Sequence, residues 1–333
     1  MPDTNLRVLL RARPEGKVGP EHFEVREEAL PSPRPGEVLL RNRYLSLDPY
    51  MRGRMSAAKS YAAPVGIGEV MVGQTVAEVV EDPTGTFRPG DVVLGGAGWQ
   101  RFCCVPAGGL RKLDPDLAPL TTALGVLGMP GTTAWVGVTE MSRPKPGETY
   151  VVTAASGAVG GVAGQIARRM GARVVGIAGG PEKCAFVTEE LGFDACVDHK
   201  APDFPDLLAR ACPDGIDGYF ENVGGAVQKA AWPLMNEFAR LAFCGSIAEY
   251  QEAEPPPGPN LGAITRKKMS LRGFIVGDHP RAFAEWRRTG ARWVKDGSLK
   301  YREDVVRGLE KAPEAFMGLL AGRNFGKLVI DLG

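Results

Sequence analysis

The stretch Val151-Val152-Thr153-Ala154-Ala155-Ser156-Gly157-Ala158-Val159-Gly160-Gly161 decides how the chain is read. Its apolar start predicts a strand, its glycines a tight turn, and the residues after the turn a helix. Val159, Val162, Ala163, Ile166, Ala167 and Met170 recur at helical spacing and give that helix one apolar face. A second strand is predicted over residues 173–178, rich in Val and Ile. Strand, glycine turn, helix and strand within ~30 residues form the frame of a dinucleotide-binding unit. A helix N-terminus has unpaired N–H groups and partial positive charge, so it attracts a pyrophosphate. Gly157, Ala158, Val159 and Gly160 are the candidate pyrophosphate turn. Ala155 stands where the fingerprint has its first glycine, which keeps an ordinary βα turn open as the other reading.

The second strand indicates which nicotinamide cofactor is bound. In NAD-binding folds an acid at its end holds the ribose hydroxyls. Here it runs into Ala178-Gly179-Gly180, and no carboxylate occurs before Glu182 in the next helix. Lys183 comes directly after it. A missing acid removes repulsion against a 2′-phosphate and a lysine adds attraction, which favours NADPH. Read alone, Lys183 is equally a solvated lysine at a helix start.

Composition sets the frame. A chain of 333 residues has material for two domains. Forty basic against 39 acidic residues give a net charge of +1, so charge makes no case for nucleic acid or an anionic membrane. The opening MPDTNLRVLLRARPEG lacks a signal-peptide pattern, and no apolar run approaches the ~20 residues of a membrane span. Six scattered cysteines without C-x-x-C suggest no disulfide framework, and a cytoplasmic setting is expected. No metal is expected either: there are three histidines, and adjacent Cys103 and Cys104 point to opposite faces of a strand.

The chain changes rhythm near residue 120. Before it, strands are predicted over 37–46, 70–80, 91–94 and 102–105, punctuated by Pro35-Gly36 and Pro89-Gly90. After it, helices (132–141, 203–212, 227–235, 280–295) alternate with strands (195–198, 217–221, 239–245, 269–276), as in a doubly wound parallel sheet. The tail predicts a helix over 313–321 and a strand over 327–332, which returns to the first domain. The proline-rich 254–259 reads as a rigid surface loop: a lid, a dimer contact or a linker.

Several segments resemble the zinc-free branch of the medium-chain dehydrogenase/reductase superfamily, that of prostaglandin reductases, leukotriene 12-hydroxydehydrogenases and alkenal double-bond reductases. They are Tyr44-Leu45-Ser46-Leu47-Asp48-Pro49-Tyr50-Met51-Arg52, Leu127-Gly128-Met129-Pro130-Gly131-Thr132-Thr133-Ala134, Glu221-Asn222-Val223-Gly224-Gly225, Cys244-Gly245-Ser246-Ile247-Ala248-Glu249-Tyr250 and Asn324-Phe325-Gly326-Lys327. The resemblance implies a chaperonin-10-like catalytic domain (residues 1–122 and 300–333), a Rossmann NADPH-binding domain (123–299) and a homodimer. It implies that Lys183 grips the 2′-phosphate. It also implies that Asn222, Cys244, Gly245, Ser246, Ile247, Tyr250, Phe274, Ile275, Val276 and Asn324 line the cofactor. His199 stands where the family commonly has a tyrosine near the adenosine phosphate. It either stacks on or donates to that phosphate, or is a solvated loop histidine. In the first case the Kd for NADPH rises across about pH 6–8 more than that for NADH.

The reaction so implied is NADPH-dependent reduction of a C=C bond conjugated to a carbonyl, in an enone or enal, without metal. Hydride reaches the β-carbon, enolate charge builds on oxygen, and a neutral donor there suits tyrosine. Tyr250 is the preferred donor and Tyr50 the second; a purely structural hydrogen-bonding role is open for both. Met129, Pro130 and Arg52 are candidates for shaping the pocket. Arg52 either meets a substrate carboxylate or pairs with Asp48, and the pairing is the favoured reading. The alternatives are an NADPH:quinone reductase, an alcohol dehydrogenase, which lacks its metal set here, and an NADPH-binding protein without turnover.

Overall fold

A computed structural model describes residues 4–254 and 256–333. The chain divides into two compact units: Gly125–Arg302, and the segment up to Leu124 joined by Glu303–Gly333.

In the unit Gly125–Arg302 six strands form one sheet in the order Ala195–Asp198, Arg173–Ala178, Thr149–Thr153, Ile216–Glu221, Met235–Phe243, Ser270–Gly273. All neighbours are parallel. The order reverses beside Thr149–Thr153, the switch point of a doubly wound fold. Tyr150, Val151, Val152, Val174 and Val175 are fully buried, which is why these strands read as continuous apolar runs. Helix Gly160–Arg169 buries Val162, Ala163, Ile166 and Ala167, and leaves Arg168 and Arg169 in water.

Four elements of this unit differ from the sequence expectation. The helix expected over 132–141 is an α-helix, Met129–Val136, that widens into a π turn, Gly137–Ser142. A Cβ on Gly137 would run into the rings of Phe220 and Phe274. The helix expected over 227–235 is Gly225–Ala231 followed by a 3-10 turn, Trp232–Leu234, because Pro233 has no N–H to continue it. The next strand therefore starts early, Met235–Phe243 rather than 239–245. The strand expected over 269–276 is only Ser270–Gly273, at the sheet edge. Past it Phe274 turns its ring edge-on to Phe220, 6.5 Å between centroids.

In the other unit Glu303–Arg307, Lys327–Asp331, Glu37–Ser46, Thr75–Glu81, Val92–Gly95 and Arg111–Lys112 pair in that order, and Phe102–Pro106 also pairs with Glu37–Ser46. The strand expected over 70–80 begins only at Thr75. The tail strand lies antiparallel to Glu37–Ser46, with Val329 opposite Ser46. A second, two-stranded sheet, Thr4–Leu10 with Phe23–Ala29, was not expected from the sequence. Its second strand, Phe-Glu-Val-Arg-Glu-Glu-Ala, offers a mostly polar run with little apolar alternation to read. Cys103 is buried and Cys104 half-buried. Of the proline-rich loop 254–259, Pro255 lies outside the described residues.

Candidate active site

All six parallel strands deliver a candidate residue at or just past their carboxyl ends. The glycine turn follows Thr149–Thr153, Lys183 follows Arg173–Ala178, and His199 follows Ala195–Asp198. Asn222 follows Ile216–Glu221, Cys244 follows Met235–Phe243, and Phe274 follows Ser270–Gly273. Open α/β sheets bind ligands along this edge.

The turn is built from backbone. Ala154 takes a left-handed φ of 51°, and its carbonyl accepts the Gly157 N–H at 2.9 Å. A Cβ on Gly160 would strike the Ala154 carbonyl and come within 2.9 Å of Thr153 O, so only glycine fits. No side chain caps the helix that starts here, and that leaves its N-terminus a cradle suited to a pyrophosphate. Ala155 has its own explanation: a Cβ on Gly176 of the neighbouring strand would stand 2.9 Å from the Ala155 methyl. The close approach is made with the glycine on the other strand.

At the end of the second strand the side chains of His199 and Lys200 lie against Gly179, where a Cβ would be 2.9 Å from His199 Nε2 and 3.1 Å from Lys200 Cε. Lys183 is half-buried in the first turn of helix Pro181–Glu189. Asp198 turns inward, and its Oδ1 accepts the N–H groups of Gly180 (2.8 Å) and Lys200 (2.9 Å). Burial resists its ionisation, but these donors and the charges of His199 and Lys200 outweigh it and hold the carboxyl below its ordinary range. His199 is open to water along part of its surface, yet packing of the ring desolvates it enough to lower its pKa. Asp198 opposes that shift, and Lys200 and Lys183 add to it. Lys200 was not singled out from the sequence; its place beside His199 was the available signal.

A buried latch joins the two strands at the switch point. Asn222 donates its backbone N–H to Thr153 Oγ1 (2.7 Å) and its side-chain amide to Thr153 O (2.8 Å). Glu221, fully buried, accepts Val223 N–H (2.8 Å), Gly224 N–H (3.0 Å), the Thr153 hydroxyl (3.0 Å) and the Tyr219 hydroxyl (3.1 Å). Burial still raises its pKa. The loop from Cys244 docks on this latch: Cys244 and Gly245 donate to Glu221 O, and Ile247 to Asn222 O at 3.0 Å. The docking sets Ser246 against Gly224, where a Cβ would be 2.9 Å from its own. Tyr250 follows the short turn Ile247–Glu249, and its hydroxyl lies over Gly245, 2.8 Å from where a Cβ would stand. The Cys244 thiol, pushed up to about 12 by burial and then by Glu221, is no nucleophile. Ile275 is exposed beside half-buried Val276. Met129 and Pro130 open helix Met129–Val136, where Thr133 Oγ1 donates to Met129 O at 2.8 Å. Thr153 and Glu221 were missed from the sequence, because a Thr and a Glu at strand ends are not distinctive until the strands are paired.

Tyr50, Arg52 and Asn324 belong to the other unit. The favoured pairing of Arg52 with Asp48 is wrong. Asp48 Oδ1 takes the buried Lys327 ammonium at 2.7 Å, and its other oxygen takes the Ser46 hydroxyl. Lys327 also donates to Leu47 O at 2.7 Å. Arg52 turns instead to the carbonyls of Gly16 (2.9 Å) and Pro14 (3.2 Å). A lysine from the tail strand already satisfies the carboxylate, and the guanidinium finds neutral acceptors. Burial, then the charge of Asp48, pushes the Tyr50 hydroxyl well up, so it stays protonated. Asn324 Nδ2 donates to Gly326 O at 2.8 Å.

Two family models match the chain: an N-terminal domain of oxidoreductase over residues 7–113, and a zinc-binding dehydrogenase domain over 158–295. Among the described residues no three His, Cys, Asp or Glu side chains gather as a metal-ion set. NADPH-dependent curcumin reductase of Escherichia coli is 49% identical, over 98% of this chain and 96% of its own. Prostaglandin reductase 1 of Rattus norvegicus is 41% identical, over 95% of each chain. The crystal structure of CurA from Vibrio vulnificus in complex with NADPH superposes with a TM-score of 0.94 at 46% identity, over 98% of this chain and 99% of its own.

Proposed function

This chain belongs to the medium-chain dehydrogenase/reductase superfamily, in the branch of the prostaglandin and double-bond reductases, and from that premise we propose that it reduces the C=C bond of α,β-unsaturated ketones or aldehydes with NADPH. The observation that carries this reading is the likeness, along nearly the full length, to an NADPH-dependent curcumin reductase. The strand-end residues fit the cofactor.

Bound NADPH supplies a hydride for the β-carbon. Gly157, Ala158, Val159 and Gly160 hold its pyrophosphate at the uncapped helix start. Lys183, His199 and Lys200, gathered around Gly179 and Gly180, face the 2′-phosphate. Asn222, the segment Cys244-Gly245-Ser246-Ile247, Phe274, Ile275, Val276 and Asn324 line the remainder. The Tyr250 hydroxyl donates to the substrate carbonyl oxygen as enolate charge builds there, and Tyr50 is the second candidate. Hydrogen-bond donors suffice for this charge, so the reading assigns no metal. Met129 and Pro130 shape the substrate pocket. Arg52, in the other unit, holds the carbonyls of Pro14 and Gly16.

Under the same reading residues 1–122 and 300–333 form the catalytic domain and residues 123–299 the NADPH domain. The protein is a homodimer in the cytoplasm, a setting that suits six free thiols. The test is consumption of NADPH and of NADH with a panel of enones, enals and quinones. Turnover of enones and enals with NADPH is expected; turnover of quinones alone would favour the NADPH:quinone reductase reading.

A further inference from the structure

The loop that carries Tyr250 is fastened along residues 221–225. Its first residues use backbone groups. Cys244 and Gly245 donate to Glu221 O at 2.9 and 3.2 Å, Ile247 to Asn222 O and Ala248 to Val223 O, both at 3.0 Å. At Glu249 the fastening passes to a side chain. Glu249 Oε1 accepts the N–H of Gly225 at 2.9 Å, across 24 residues of sequence.

The sequence makes room for that carboxylate. Gly225 opens helix Gly225–Ala231, and an N–H in a first turn has no partner within its helix. Gly224, just before it, has no side chain to supply one. Both glycines take positive φ, 72° and 55°. A Cβ on Gly224 would stand 2.6 Å from Glu249 Oε1 and 2.9 Å from Ser246 Cβ, and one on Gly225 would stand 3.6 Å from the Ala248 methyl. The glycine pair therefore admits the loop and leaves a donor for it. Glu221 takes the N–H groups of Val223 and Gly224, so two carboxylates hold three successive donors. Glu221 belongs to the strand end itself. Glu249 comes from the loop and ties it to the helix start.

We propose that Glu249 is a positioning residue for the reduction: it caps helix Gly225–Ala231 from the loop and so fixes the loop's far end, from which Tyr250 sets its hydroxyl over Gly245. This rests on the reading of Tyr250 as donor to the substrate carbonyl. Glu249 moves no proton and touches no reacting atom. Its effect is geometric, because the hydroxyl has to lie within hydrogen-bond reach of the oxygen on which charge builds. Cys244, Gly245 and Ile247, which line the cofactor under the same reading, are held by their own backbone bonds to Glu221 and Asn222. Loss of the cap therefore shows in the chemical step and not in NADPH binding.

The test compares wild type with Glu249→Ala, Glu249→Gln, Tyr250→Phe and the double variant Glu249→Ala/Tyr250→Phe. Three quantities are measured: kcat on a simple enone, the Kd of NADPH, and amide hydrogen exchange in peptides covering residues 244–252. Glu249→Ala should lower kcat about ten-fold, short of the ~10²-fold cost of an ångström's misplacement. Its Kd for NADPH should stay within about two-fold of wild type, and its loop should exchange faster. Glu249→Gln, whose amide oxygen still accepts the Gly225 N–H, should recover most of the rate. A residue that acts through Tyr250 gives losses that do not add, so the double variant should be about as slow as Tyr250→Phe alone. An unchanged kcat in Glu249→Ala, a Gln variant as slow as the Ala variant, additive losses, or an NADPH affinity that falls in step with kcat overturns the proposal. If Tyr250→Phe itself keeps its kcat, the Tyr250 reading fails, and loop exchange alone then decides whether Glu249 fixes the loop.

Discussion

Tyr250 sets a hydroxyl over the Gly245 backbone, on a loop docked to Asn222 and Glu221. If that hydroxyl meets the enolate oxygen, Tyr250→Phe lowers kcat on an enone about ten-fold or more, with the loop intact. An unchanged kcat removes Tyr250 from the reaction and leaves it a structural tyrosine. Lys183→Ala should raise the Kd for NADPH about ten-fold and leave NADH alone, since a charge-assisted contact contributes about 1.5–3 kcal/mol. Equal loss for both cofactors would place Lys183 elsewhere. His199 makes a pH prediction. Packing lowers its pKa, so the imidazolium forms at more acid pH than in an ordinary histidine. A cation there favours the 2′-phosphate, so NADPH affinity gains from His199 as pH falls through that lowered pKa and loses the gain as pH rises. The window therefore moves to the acid side of the one expected from the sequence. The difference between wild type and His199→Gln in NADPH titrations should grow only toward acid pH; parallel profiles would make His199 a bystander. Arg52 shows why such roles resist reading from sequence. Asp48 stands close to it along the chain, but the carboxylate's partner is Lys327, 279 residues away.

Single elements show what the sequence does and does not reveal. The fingerprint turn was readable because its reasons are local: glycines, an apolar strand before it, helical spacing after it. The Ala155 departure became intelligible only beside Gly176, in a neighbouring strand. The strands Thr4–Leu10 and Phe23–Ala29 escaped notice because neither alternates cleanly: the first buries Val8, Leu9 and Leu10 in a row, and the second is mostly polar and exposed. The segment carrying Tyr50 is anchored by the buried Lys327–Asp48 pair, with both side chains under a tenth exposed. Lys327→Met leaves Asp48 buried and unpaired, and should lower unfolding stability by about 3–5 kcal/mol in urea titration. A loss below about 1 kcal/mol would show that the pair does not anchor the segment.

Over the whole chain the βα rhythm and the tail strand were legible, because each leaves a periodic or positional trace in the sequence, whereas Asn222, the Cys244 loop and Phe274 were singled out only through the family resemblance. What joins the strands was not legible: the Thr153–Glu221–Asn222 latch exists only once the sheet is ordered. The homodimer is a proposal at this scale. Light scattering coupled to gel filtration should give twice the chain mass, and a mass equal to the 35.5 kDa chain would refute it. The central claim, that NADPH reduces a conjugated C=C bond here, is tested most directly by product analysis. The protein is incubated with NADPH and a simple enone beside a quinone, and the products are identified by mass spectrometry. The account predicts the saturated ketone, its carbonyl intact, with little turnover when NADH replaces NADPH. An allylic alcohol as the product, or an untouched enone beside a reduced quinone, would contradict it.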